Sequence, residues 1–277
     1  MEQTVSVTDT HVIVVAHNAG DLLDACIHSA VEQAGAPMVT IVDSGSSDGA
    51  PERVAGMHGG LSLMRVPNKG FSAANNAALD RVEAPFALLL NPDAILQPGA
   101  LASMRSCAAE HPRAGIIGPH VTGPDGAIQA ESYGRFPTLR SLIMLRLWRF
   151  WQRLLGNHTL SPREFERCTA VDWTTGACML VRGEAMAEVG VLDDTFFLYY
   201  EDVDWCHRMR DAGWEVLVEP AARCVHHLGQ SAAPGGFVSA AYRESFYQYV
   251  DKYGLSALGL TARLGLALRR LLRGGRR

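Results

Sequence analysis

Short apolar runs along the chain alternate with longer stretches in which apolar residues recur every three or four positions. Val12–Ala16, Met38–Val42, Leu61–Val66 and Phe86–Leu90 are the runs, and helical stretches near Asp21–Ala34, Asp48–Gly56 and Gly70–Val82 separate them. This alternation predicts a right-handed parallel β-α-β array over roughly the first 110 residues. Phe86-Ala-Leu-Leu-Leu90 has no polar interruption and predicts a central strand covered on both faces. Each strand runs into small or polar residues: His17-Asn18, Asp43 to Asp48, Asn68-Lys69-Gly70, and Asn91-Pro92-Asp93. Parallel strands place all four loops on one sheet edge, where open α/β sheets bind ligands.

Beyond Ala114 the pattern is less regular. Val171–Arg182 predicts a loop carrying Trp173 and then a strand. Phe196–Tyr200 is aromatic and β-prone, and it feeds a helix from Glu201 to Asp211 that Gly213 stops. Trp214–Glu219 predicts another strand, followed by Cys224-Val225-His226-His227.

Several residues on this frame carry candidate chemistry. Asp93 is a hard oxygen ligand at a strand end, or else a cap of its own Asn-Pro-Asp turn. Asp43 can accept hydrogen bonds from ribose hydroxyls or a base N–H, with Ser44 to Ser47 offering backbone amides. Gly70 opens a helix whose free N–H groups and positive dipole end suit a phosphate, with Lys69 adjacent. Neither GxGxxG after the first strand nor GxxxxGK[ST] occurs, which argues against a dinucleotide fold or a P-loop. Glu201, Asp202 and Asp204 crowd a helix start, either to favour its dipole with Arg208 and Arg210 in compensation or to supply a general base. His226 and His227 end a strand, and one of them can offer a nitrogen ligand.

Composition adds little except at the ends. Apolar residues make up 48% and charged ones 19% of 277 residues, an ordinary globular balance. Net charge is −4, but Lys252–Arg277 holds seven basic residues and no acid, leaving residues 1–251 at −11. Six scattered cysteines with no CxxC pair argue for a reducing cytosol and against a disulfide framework or a thiolate zinc site. No secretory leader and no membrane-spanning run are expected. Thr138–Asn157 combines leucines and two tryptophans with Arg146, Arg149 and Arg153 at helical spacing, and the tail repeats that chemistry. Both suit a membrane interface, against an ordinary packed helix and a solvated end. The acidic body offers no basic face for nucleic acid.

Six ordered motifs resemble a known family. They are Val-Ile-Val-Val-Ala-His-Asn (12–18), Val-Asp-Ser-Gly-Ser-Ser-Asp-Gly (42–49), Asn-Lys-Gly-Phe-Ser-Ala-Ala-Asn-Asn (68–76), Leu-Asn-Pro-Asp-Ala (90–94), Thr-Gly-Ala-Cys-Met-Leu-Val-Arg (175–182) and Phe-Leu-Tyr-Tyr-Glu-Asp-Val-Asp (197–204). Over residues 11–250 the chain resembles the family 2 inverting glycosyltransferases, in their bacterial rhamnosyltransferase-like branch. The resemblance implies an α/β GT-A fold with a central, mostly parallel sheet flanked by helices. It implies a donor half (about 11–113), an acceptor and catalytic half (about 114–250, with the basic amphipathic segment 138–155), and a basic amphipathic helical tail (251–277). Ala16, His17, Asn18, Asp43 and Ser44 would hold the base and ribose, and Asn68, Lys69, Gly70 and Asn75 would lie near the diphosphate. Asp93 matches the last aspartate of the family's metal motif, with Asn91 in place of the first, so Mg²⁺ or Mn²⁺ would rest on Asp93 and His226. Asp202 matches the catalytic base, with Glu201 beside it, and Trp173 and Gly176 fall in the acceptor site. His17 departs from the tyrosine common in the family.

The implied activity is transfer of L-rhamnose from dTDP-rhamnose to a polyprenyl-diphosphate-linked saccharide in cell-surface polysaccharide synthesis, at the cytoplasmic face of the membrane. A homodimer is compatible with it. Another hexosyl donor, a non-catalytic sugar-nucleotide or glycan-binding protein, and a nucleotidyltransferase are the rival readings.

Overall fold

A computed structural model describes residues 9–34, 37–129, 132–136, 165–227, 235–255 and 259. The basic amphipathic segment 138–155 and nearly all of the tail after 255 lie outside them. The alternation of the first 110 residues folds as expected. Strands β1 (Thr10–Ala16), β2 (Met38–Asp43), β3 (Ser62–Arg65) and β4 (Phe86–Leu90) run parallel, joined through helices α1 (Leu22–Val31), α2 (Ala50–Met57) and α3 (Phe71–Leu79). There follow β5 (Ala94–Leu96), α4 (Ala100–Glu110), β6 (Ala114–Thr122), β7 (Tyr133–Gly134), β8 (Thr169–Ala170), β9 (Trp173–Thr174), β10 (Cys178–Arg182), α5 (Gly183–Val189), α6 (Glu201–Asp211), β11 (Glu215–His226) and α7 (Gly235–Lys252).

The main sheet has the order β3-β2-β1-β4-β10-β6-β11-β5, with β8 paired to β11. Its order reverses between β1 and β4, and such a switch point opens a crevice at the carboxyl ends of the two strands. β10 runs antiparallel to β4, with Cys178 opposite Leu90, so the residues just before β10 join that edge. β5 pairs antiparallel with β11, setting His226 opposite Ala94. These two antiparallel pairings deliver segments from the second half of the chain to the mouth of the first.

Alternate residues of the buried strands serve different faces. Val12, Val14, Leu88 and Leu90 pack with α1 and α4, whereas Ile13, Val15, Ala87 and Leu89 pack with α3 and α6. Every residue of β1 is buried, as a doubly covered strand requires.

Three local expectations are corrected. Phe196–Tyr200 forms no strand: Tyr199 and Tyr200 take left-handed conformations (φ 71° and 68°), turning the chain sharply into α6. Ala94–Leu96 adds a short strand after the Asn-Pro-Asp turn, and the strand after Gly213 continues to His226. Lys252, assigned to the tail by charge, ends α7 and docks on the body through Asp204 and Asp193. No helix among the described residues is long and apolar enough to cross a membrane.

Candidate active site

The first two loops of the edge are tied directly to each other. Ser44 N–H donates to Ala16 O, His17 Nδ1 lies 2.8 Å from Ser44 O, and Asn18 Oδ1 accepts from Ser47 N–H at 2.8 Å. Gly20 N–H donates to Asp48 Oδ2. Asp43 is buried and uses Oδ1 to accept from Ser46 N–H, whereas His17 and Asn18 are exposed. The result is a polar shelf at the ends of β1 and β2.

At the end of β4, Asp93 is 1% exposed, and its Oδ1 lies 3.2 Å from His226 Nε2. Asn91 Nδ2 is 3.5 Å from the same nitrogen, and Asn91 Oδ1 is buried with no hydrogen-bond partner among the described residues. Among the described residues His227 meets this position through its backbone N–H, bonded to Asp93 O, so His226 is the histidine whose ring lies here. Gln129 fixes the ring: its Nε2 donates to His226 O at 2.7 Å, which turns Oε1 toward Nδ1 at 3.1 Å. Nδ1 is therefore the N–H that donates to Gln129, and a neutral ring points the lone pair of Nε2 at a carboxylate oxygen. A proton or a cation between them relieves that clash. A carboxylate, an amide oxygen and an imidazole fit Mn²⁺ or Mg²⁺, with a second-layer partner orienting the imidazole.

Across the crevice, Asp202 Oδ2 accepts from Gly176 N–H and Oδ1 from Val203 N–H, each at 2.8 Å. Burial raises its pKa above the usual carboxylate range, and these N–H donors pull it back in part. Glu201 is more deeply buried, and its Oε2 has no hydrogen-bond partner among the described residues. Burial first, and then the neighbouring Asp202, pushes its carboxyl well up. The third carboxylate, Asp204, is 0% exposed and is held by Arg208, Lys252 and Tyr253 Oη. One short segment joins the two sides. Ala177 O accepts from Asn91 N–H at 2.8 Å while the adjoining Gly176 binds Asp202, which keeps Asp202 within roughly 12 Å of the Asn91 backbone.

Other sequence-predicted residues have different partners from those expected. Phe71 N–H donates to Phe197 O and Gly70 N–H to Asn68 Oδ1, so these two N–H groups at the start of α3 already have partners within the protein. Gly70 has φ 101°, and a Cβ there would lie 2.4 Å from Phe197 O. Only glycine lets this loop approach the segment preceding α6. Asn75 donates to Phe71 O within its own helix, while Asn68 and Lys69 remain exposed. Trp173 packs its indole on Gly134 and donates Nε1–H to Arg135 O, the geometry of a packing residue. Gln129 and Lys252 were not anticipated. Neither lies in a motif, and both act on partners about 50 or more residues away in sequence.

The Glycosyl transferase family 2 model matches residues 11–170. The chain is 27% identical over 281 residues to the Mycobacterium tuberculosis N-acetylglucosaminyl-diphospho-decaprenol L-rhamnosyltransferase, covering 93% of this chain and 90% of that protein. It is 27% identical over 207 residues to rhamnosyltransferase WbbL of Escherichia coli, covering 70% and 75%. The mannosyltransferase PcManGT from Pyrobaculum calidifontis, solved with GDP-Man and Mn²⁺, superposes with a TM-score of 0.60 at 17% identity, over 91% of this chain and 66% of that one. The sheet and its flanking helices have the GT-A architecture, and the chain belongs to glycosyl transferase family 2.

Proposed function

We propose that the protein transfers L-rhamnose from dTDP-rhamnose to a saccharide carried on a polyprenyl diphosphate, with inversion at the anomeric carbon. The observation that carries this reading is the Thr175–Ala177 segment, which binds Asn91 beside Asp93 on one side and Asp202 on the other. A donor diphosphate near Asp93 and an acceptor hydroxyl at Asp202 would then flank one sugar ring. Asp202 has the properties of a general base: a raised pKa, two N–H donors fixing its orientation, and a half-buried side chain. It takes the acceptor proton as the new glycosidic bond forms and the bond to the diphosphate breaks. Asp93, Asn91 and His226 are the residues that would hold Mg²⁺ or Mn²⁺, which when bound neutralises the departing diphosphate. Ala16 to Asn18, Asp43 and Ser44 receive the nucleoside.

Support for the donor and acceptor comes from the two rhamnosyltransferase relatives, one of which is named for a diphospho-decaprenol acceptor. Membrane association is part of the proposal, because residues 138–155 and the tail carry apolar and arginine side chains at helical spacing. The test is a thermal-shift panel of dTDP-, UDP- and GDP-sugars with and without Mn²⁺, followed by turnover on polyprenyl-diphosphate N-acetylglucosamine. A Mn²⁺-dependent shift with dTDP-rhamnose and product formation are expected. A shift with a different nucleotide sugar alone replaces the donor, and no shift with any removes the nucleotide site.

A further inference from the structure

The C-terminal end of α4 carries a second cluster of ligand-type side chains. Cys107 and His111 stand one helical turn apart, with His111 N–H bonded to Cys107 O at 2.9 Å, and this i, i+4 spacing places them on one face. Cys168, just before β8, meets them there. Its Sγ is 2.7 Å from Cys107 Sγ, and the three potential ligand atoms all lie within 4.8 Å of one another. Cys107 is buried, while His111 and Cys168 are half-buried, so the cluster is covered and still reachable.

We propose that Cys107, His111 and Cys168 bind a zinc ion, with water in the fourth position. Two thiolates and an imidazole are a soft donor set that selects zinc over the hard cations suited to the cleft. Binding displaces one proton from each thiol, giving a neutral Zn(S⁻)₂ unit from Zn²⁺ and two thiols. A simple thiol pair or disulfide leaves His111 without a role. The lack of CxxC in the sequence argued against such a site. The spacing that marks it is Cys107-x₃-His111 on a helix, completed by a cysteine 57 residues beyond His111.

The consequence is structural. Cys168 directly precedes β8, and its neighbour Thr169 pairs with Val218 of β11. A zinc ion here pins the start of β8 to the end of α4.

Full-length protein purified under reducing conditions without chelator is measured for zinc, then stripped and titrated with Co²⁺. About one equivalent of zinc, a thiolate-to-cobalt charge-transfer band and a raised melting temperature are expected. Cys168→Ser should lose the band, and His111→Ala should weaken cobalt binding roughly tenfold or more. Wild-type protein with no zinc, no cobalt band and freely titrating thiols overturns the proposal without reference to any variant. So does metal-free protein two hydrogens lighter than the reduced mass, which would mark a disulfide, or a cobalt band that survives both substitutions.

Discussion

The proposed nucleoside shelf and the proposed catalytic corner sit on the same sheet edge but are held in different ways. On the shelf, the loops after β1 and β2 bind each other mostly through side-chain to backbone hydrogen bonds at partly exposed positions, as in Asn18 with Ser47 and Asp48 with Gly20. Two adjacent parallel strands suffice to bring those partners together. The corner uses two left-handed tyrosines, two carboxyls with raised pKa, and Asp204 buried among Arg208, Lys252 and Tyr253. A ligand can be gripped by groups that water also satisfies. Proton abstraction needs a carboxylate partly withdrawn from water, and enclosing it requires a rigid, charge-balanced frame.

The sharpest way to test that contrast is to remove one polar function from each region. Asp202→Asn is expected to lower kcat by about 10² to 10⁴-fold with donor binding retained, because the amide cannot take the proton. Asn18→Ala should leave kcat alone and raise KM a few-fold, since its lost bonds are shared with solvent. Equal kcat losses would erase the distinction. Steady-state kinetics and donor titration read both outcomes.

Gly70 lies where the two regions touch. Gly70→Ala forces a left-handed alanine and drives Cβ into Phe197 O, so a stability loss of about 1–3 kcal/mol is expected by urea unfolding. Its effect on turnover should exceed that of Asn18→Ala, because Phe197 leads directly into Tyr199, Tyr200 and α6.

The same contrast explains what the sequence made legible. Strands β1 to β4 and their loops follow from local alternation, so His17, Asn18, Asp43 and Asp93 can be placed on one edge before any coordinates exist. The sequence resemblance also picks out Asp202 and His226, whose neighbours the fold then brings together. Partnerships across the chain are not legible in this way. Gln129 carries no periodic or motif signal, and its value arises only because β6 and β11 are neighbours. Lys252 reads as the first residue of a basic tail until α7 lays it against two aspartates. The aromatic run at 196–200 has strand propensity, but the tertiary need to turn into α6 overrides it.

Lys252 gives a smaller, pH-dependent test of the charge-balanced frame. Burial alone would raise the Asp193 carboxyl, but the Lys252 ammonium and the Thr195 hydrogen bonds hold it down at about 2. A depressed acid stabilises the fold above its unfolded pKa, and that contribution disappears as pH falls through the folded value. Lys252→Met should therefore cost about 1–3 kcal/mol near neutrality. Wild type and variant should converge as pH falls from about 4 to about 2. Parallel unfolding curves across that range would mean that Lys252 acts through packing alone.

Glu201 supplies the smallest effect and the most direct reading of the corner. Asp202 has two N–H donors for its charge, whereas Glu201 Oε2 has no hydrogen-bond partner, so the proton shared by this pair resides on Glu201. Its folded pKa is raised, and the linkage sign is thus opposite to that of Asp193. The native state binds the extra proton, so stability is fully present below the unfolded pKa and is lost as pH rises through the folded one. Glu201→Gln mimics the protonated carboxyl and removes this slope. The variant should match wild type near about pH 4 and melt a few degrees higher near about pH 8. Because Glu201 is already neutral while Asp202 titrates, the acid limb of the pH–rate profile should stay where it is. A variant less stable than wild type at every pH would instead make the Glu201 carboxylate a structural anion, and the corner would no longer differ from the shelf in its protonation.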